Sequence, residues 1–150
     1  DPGHESRPNP TSGLDGKFSF EYCAIIPLVT NPVGIDSFSD ATRFTPAVDE
    51  ALTKVSLRHN PAIGRGANAI VTMKDGRVLQ GECRDFRGSI RNPMTRDEHD
   101  VKYLDCAKRV LPPEDIDRVR DMVENLESLA DIRQLIALLA PSPKGEERPA

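Results

Sequence analysis

Tryptophan is absent from this 150-residue chain, and aromatics of any kind make up only 5% of it. With 37% apolar residues the chain suits one ordinary domain, or one small domain with an appendage. No apolar run approaches the roughly 20 residues that cross a bilayer, and the start lacks the apolar stretch of a secretory signal. A basic surplus is missing too. The net charge of −4 argues against a nucleic-acid surface, which needs a positive stripe for phosphates. Cysteine is scarce: Cys23, Cys83 and Cys106 are odd in number, far apart and never in a Cys-x-x-Cys pair. Zinc and disulfide frameworks are therefore not expected, and reduced thiols packed as small hydrophobes in a cytoplasmic protein are. Internal repeats are absent. So is an initiator methionine at Asp1, which leads us to expect a piece of something longer.

What is present centres on residues 13–28, GLDGKFSFEYCAIIPL. The stretch predicts a short apolar helix starting near Lys17, with Asp15 as its N-cap and Pro27 as its end or kink. Lys17, Ser19, Glu21 and Tyr22 then decorate the leading edge of a buried element. Two readings stand. One is a site, in which Lys17 holds a carboxylate as a point charge and Tyr22 donates a hydrogen bond or relays a proton. The other is an amphipathic core helix with Lys17 snorkelling to water.

Around this stretch, residues 1–13 are rich in proline, glycine and charge and read as a linker or docking arm, with His4 and Arg7 able to touch an anion. Apolar anchors at Ile35, Phe38 and Phe44 precede Thr45-Pro46, an N-cap and first helical residue. Three strands are expected at 54–59, 67–74 and 77–83. Asp75-Gly76 between the last two predicts a two-residue type I′ hairpin, with Met73 opposite Val78, Thr72 opposite Leu79, and Lys74 facing Arg77. Gly64-Arg65-Gly66 lacks the third glycine and the following helix of a phosphate loop. The loop at 85–94 carries Arg87 and Arg91 around Gly88, where two guanidiniums and exposed backbone amides suit a carboxylate; a solvated connector is the plainer reading. Thr95 to Glu98 forms a capping box for a helix with Val101, Leu104, Ala107 and Leu111 on one face. Pro112-Pro113 opens a second, striped by Ile116, Val119, Val123 and Leu126. A third carries Leu129, Ile132, Ile136 and Leu139, broadened by Leu135 and Leu138 so that it packs on two sides. Segregated strands and helices make the fold class α+β, a small antiparallel sheet with flanking helices.

With those motifs in place, the chain resembles the C-terminal part of the MmgE/PrpD family, which includes 2-methylcitrate dehydratase, cis-aconitate decarboxylase and iminodisuccinate epimerase. The resemblance rests on the 13–28 stretch, on MKDGRVLQGECRDFRGSIRNPMTRDE at 73–98, on Lys102-Tyr103, and on the closing ENLESLADIRQLIALL. It implies a longer two-domain protein: a helical domain, then this smaller α+β domain, whose last helices return to the helical one. The expected boundaries are 1–13 arm, 14–111 α+β domain, 112–140 returning helices and 141–150 disordered tail.

The resemblance also implies a lyase or isomerase that acts on small polycarboxylates, 2-methylcitrate dehydratase-like, with its site in the cleft between the domains. By it, Lys17 and Tyr22 are the catalytic candidates, and Lys17, Ser19, Arg87, Gly88 and Arg91 hold substrate. No cofactor is implied, in keeping with the absence of cysteine spacing for an iron–sulfur cluster. The implied partners are the substrate, the helical domain of the same protein and a second copy of the chain, with neither nucleic acid nor membrane. The chain alone is expected to be inactive. The alternative is a non-catalytic interaction or dimerisation module, motivated by the two-sided apolar helix at the C-terminal end. Metal binding through His4, His59 and His99 has no ligand spacing behind it.

Overall fold

Two serines open the first two helices of the computed structural model, which describes residues 7–64 and 66–140. His4, Arg65 and the expected C-terminal tail lie outside those residues. Ser12 Oγ accepts the Asp15 amide at 3.0 Å and starts α1, Gly13–Gly16. Ser19 Oγ accepts the Tyr22 amide at 3.0 Å and starts α2, Phe20–Val29. The single helix expected from Lys17 is thus two helices with Lys17 in the break, and Asp15 lies inside α1 rather than capping α2. A serine hydroxyl competes for the next turn's amides and resets the helix where it stands.

From Phe20 the buried face of α2 falls at Tyr22, Ile25 and Ile26, with Val29 half-buried, the helical i, i+3, i+4, i+7 spacing. Phe18, Phe20 and Leu28 are exposed, so burial of this apolar segment holds for one face only. Pro27 neither ends nor bounds α2, which runs on to Val29. The acceptor its missing N–H leaves unused belongs to exposed Cys23, and the Thr30 amide still bonds the Ile26 carbonyl at 2.8 Å.

A 3-10 turn, Ile35–Phe38, leads to α3, Asp40–Arg43, and then α4, Pro46–Leu52, begins with Thr45 and Pro46 in the expected roles. Val48 and Leu52 of α4 pack on Tyr22, Ile25 and Ile26 to form the first core, with Phe38, Ala51 and Val55 at its margin. Each such side chain, fully buried, is worth about 1.5–3 kcal/mol.

The described residues hold one sheet of two antiparallel strands, β1 (Ala67–Thr72) and β2 (Val78–Cys83). The third strand expected at 54–59 does not form. Val55 packs on the core margin, but no neighbouring strand offers that segment a ladder. The register also differs by one residue: Thr72 lies opposite Val78 and Val71 opposite Leu79. The cause is the turn. The Gly76 amide bonds the Met73 carbonyl at 3.0 Å and the Met73 amide bonds the Arg77 carbonyl at 2.8 Å, leaving a three-residue loop of Lys74, Asp75 and Gly76. Only Gly76 takes a positive φ, 87°; the type I′ alternative demands the same of Asp75, which its Cβ resists. Arg77 therefore faces Met73 and bonds the Asp75 carboxylate at 2.7 Å instead of opposing Lys74. Ile70, Val78 and Leu79 stay largely in water. The α+β class is the one the sequence predicts.

The contacts divide the chain into two compact units at Arg96/Asp97. In the second, α5 (Arg96–Ala107), α6 (Pro113–Glu124) and α7 (Arg133–Leu139) surround a small core of Val119, Leu135 and Leu138, margined by Tyr103, Leu111, Met122 and Leu129. α5 and α6 begin where the capping box and the proline pair place them. The stripes are only partly used. Val101 and Leu104 are exposed, and α7 buries Leu135 and Leu138 while Ile132, Ile136 and Leu139 remain 48%, 56% and 52% exposed. A two-turn helix offers one face to its neighbours, and the leucine face takes it.

Candidate functional site

The break between α1 and α2 is the most constrained polar turn of the first unit. Lys17 forms the C-cap of α1, its amide bonded to the Leu14 carbonyl at 3.1 Å. Two residues later Ser19 caps α2. Glycines let the turn sit close to the core. A Cβ at Gly13 falls 2.3 Å from the Ser39 carbonyl carbon, and one at Gly16 falls 3.0 Å from the Tyr22 ring. Lys17 itself is exposed, its Nζ 5.9 Å from the centroid of the Phe38 ring, within cation–π range. It has no carboxylate partner among the described residues.

Its two companions face inward. Ser19 is buried; its hydroxyl donates to the Arg7 carbonyl at 2.6 Å while accepting the Tyr22 amide. Tyr22, expected at the mouth of the element, is fully buried instead, and its hydroxyl donates to the Ser37 carbonyl at 2.7 Å. Burial raises its pKa above the ordinary phenol value. Both groups turn toward the core because α2 begins at Phe20 and its Tyr22 face is the core face. Glu21 is buried beside Ser19, its Oε2 3.4 Å from the hydroxyl.

Arg87, Gly88 and Arg91 form a separate group in the loop after β2. Gly88 adopts φ 89°, and its amide is not presented outward: it donates to the Asn92 carbonyl at 2.8 Å. Arg87 donates to Asn92 Oδ1 at 2.7 Å, and the Asn92 amide side chain bonds the Asp85 carbonyl at 3.0 Å. The loop is a closed knot built around Asn92, with Arg91 exposed on it and without a partner among the described residues.

Two further structural features bear on this turn. The arm is docked from Arg7 to Gly13: Pro10 is fully buried, the Arg7 guanidinium bonds the Asp15 carboxylate at 2.5 Å, and the Gly13 amide donates to Asp40 Oδ1 at 2.7 Å. The Thr11 amide, at 2.8 Å, and then Arg7 hold the Asp15 pKa below the usual carboxylate range. Arg43, 5% exposed, donates through Nε to the Pro10 carbonyl and through Nη1 to Asp49, each at 2.7 Å. No short-range pattern links residues 33 positions apart, so the sequence carries no signal for this bond.

In the second unit a cleft of about 850 Å³ opens among Tyr103, Cys106, Leu111, Val119 and Leu138. Its walls are mainly apolar. The cations on its lining, Lys108 and Arg109, are paired with Asp105 at 3.0 and 3.2 Å, and Tyr103 donates its hydroxyl to the Ile116 carbonyl at 2.6 Å. Such a cleft suits an apolar side chain better than a polycarboxylate. Among the described residues no cluster of histidine, cysteine or carboxylates is arranged to hold a metal, and no helix is long and apolar enough to cross a membrane.

The chain is 31% identical to the cis-aconitate decarboxylase of Homo sapiens over 144 residues, covering 92% of this chain and 30% of that protein. Against the cis-aconitate decarboxylase of Mus musculus the identity is 29%, over 94% of this chain and 30% of the other. A cis-aconitate decarboxylase-like protein of Aspergillus oryzae is 27% identical, over 91% and 29%. The chain thus spans about 30% of the length of the curated relatives it matches. The profile of the MmgE/PrpD C-terminal domain matches residues 3–128, so this chain belongs to the MmgE/PrpD family, as its C-terminal domain.

Proposed function

We propose that this chain supplies one wall of the substrate site of a lyase that acts on a small polycarboxylate, and that Lys17 holds one of the substrate's carboxylates. The observation that carries the reading is Lys17 itself: an exposed ammonium without a carboxylate partner among the described residues, on a turn locked by a C-cap on one side and an N-cap on the other. Loss of CO2 from a polycarboxylate leaves an electron pair that a proton must take up, and loss of water needs a proton removed beside a carboxylate. Either path requires cations that fix the carboxylates before the proton moves. The named relatives favour the decarboxylation of cis-aconitate; dehydration of a methylcitrate-like substrate uses the same carboxylate grip. Arg91, exposed on its loop, is the second cation offered to the substrate, and Arg87 and Gly88 shape that loop. The acid and base come from a helical domain of the same protein.

In the full-length protein that carries this chain, Lys17→Ala should lower kcat/KM for cis-aconitate about 10- to 100-fold, the worth of one charge-assisted contact. An unchanged kcat/KM would remove Lys17 from the site. The exposed Ile132, Ile136 and Leu139 face favours a second reading, a docking module without catalysis. The same variant separates the two, since docking through α7 makes no use of Lys17.

A further inference from the structure

We infer that Arg43 is a positioning residue for Lys17, acting through the arm at residues 7–11. This rests on the reading that Lys17 touches substrate. The Lys17 turn touches the arm at both ends: Ser19 donates to the Arg7 carbonyl, and Asp15 accepts from Arg7 and from the Thr11 amide. The arm in turn is anchored at its middle by the Arg43 Nε bond to the Pro10 carbonyl. Arg43 is held in place by three further constraints: burial, the Asp49 carboxylate, and the Phe44 ring, whose centroid lies 5.1 Å from the guanidinium carbon. A surface arm that only covers the core has no need of a buried guanidinium aimed at its backbone. The planar fork carries its donors on separate nitrogens and here uses two of them, Nε and Nη1, for two acceptors; an ammonium gathers all its donors on one atom.

The chain of contacts has a direction. Releasing Pro10 frees the arm, the arm frees Asp15 and Ser19, and the Lys17 turn loses its registration while the Tyr22 core stays packed. Substrate holding then weakens with the chemical step unaltered.

The test is a double-mutant cycle in the full-length protein, with cis-aconitate as substrate. Arg43→Gln should raise KM about tenfold with kcat within about twofold, and should have no further effect in a Lys17→Ala background. Arg43→Lys, which keeps a charge for Asp49 but has no second nitrogen in place of Nε for the Pro10 carbonyl, should show the same KM rise with a smaller loss of thermal stability; it carries the test if the glutamine variant does not fold. Amide exchange at Thr11 and Tyr22 should speed up in both variants. If Arg43 and Lys17 effects multiply independently, or KM is unchanged while exchange accelerates, Arg43 has no part in placing Lys17. If Lys17→Ala itself leaves kcat/KM unchanged, the underlying reading of the site fails, and this inference with it.

Discussion

Replacing Tyr22 with alanine is expected to destabilise the chain by about 3–5 kcal/mol, the range for deleting a buried ring. Whole domains are stable by only about 5–15 kcal/mol, so the variant should be near unfolding at room temperature. Two features place Tyr22 at the top of that range. Its ring is fully buried at the meeting point of α2 and α4, and it touches both Phe38, with centroids 5.8 Å apart, and the backbone of Gly16. Little around it can collapse into the space, because the Gly16 side is backbone and the Ser37 side is a hydrogen-bonded turn. Tyr22→Phe should cost about 1–2 kcal/mol, the penalty for leaving the Ser37 carbonyl without its donor. Urea unfolding of the two variants checks both figures. A Tyr22→Phe protein with full stability but a collapsed kcat would return this hydroxyl to proton transfer and overturn its structural role.

The second large effect concerns the chain by itself: on cis-aconitate it should show no turnover above the uncatalysed rate. A general acid or base has to lie within about 2.6–3.2 Å of the proton it moves. The hydroxyls near Lys17 are committed elsewhere, Tyr22 to Ser37 and Ser19 to Arg7. His59 and His99 are exposed and belong to different units of the chain. In the proposed site Lys17 accordingly has the carboxylate to hold, and the proton is left to another domain. An assay of the 150-residue chain beside the full-length protein decides it, and turnover by the chain alone would contradict a site shared with another domain.

The elements that were legible in the residues share a physical cause: the signal was local. The capping box before α5, the prolines that open α4 and α6, and the Asp75-Gly76 turn signal between β1 and β2 are all set within a few residues. The misreadings came where two local signals compete. Asp15 and Ser19 are both good caps; the serine wins because α1 uses Asp15 as the acceptor that holds the arm. Asp75-Gly76 suits either a two-residue or a three-residue turn, and the choice that spares Asp75 a positive φ shifts every pair in the hairpin by one. The 54–59 segment alternates as a strand should, but alternation cannot supply a neighbour. The site shows the same division. Lys17 as an exposed cation was readable from its context. The inward turn of Ser19 and Tyr22 depends on where α2 starts, and Arg43 on an arm far away in the chain.

The exposed apolar faces fit the same picture. Ile136 and Leu139 on α7, with Ile132 just before it, are placed in water although they lie in a helical stripe of the kind that elsewhere marks a core, and Ile70 and Leu79 on the hairpin are exposed as well. A two-stranded hairpin has marginal stability without a covering layer. These are surfaces that the proposed helical domain would cover, and they carry no catalytic group of their own.

The most direct test is the reactivity of the Lys17 amine in the full-length protein. Acylation by an amine-directed reagent, followed residue by residue, should slow at Lys17 when cis-aconitate is present, while the exposed Lys74 and Lys102 react at unchanged rates. Equal labelling of Lys17 with and without the tricarboxylate would contradict its place at the substrate.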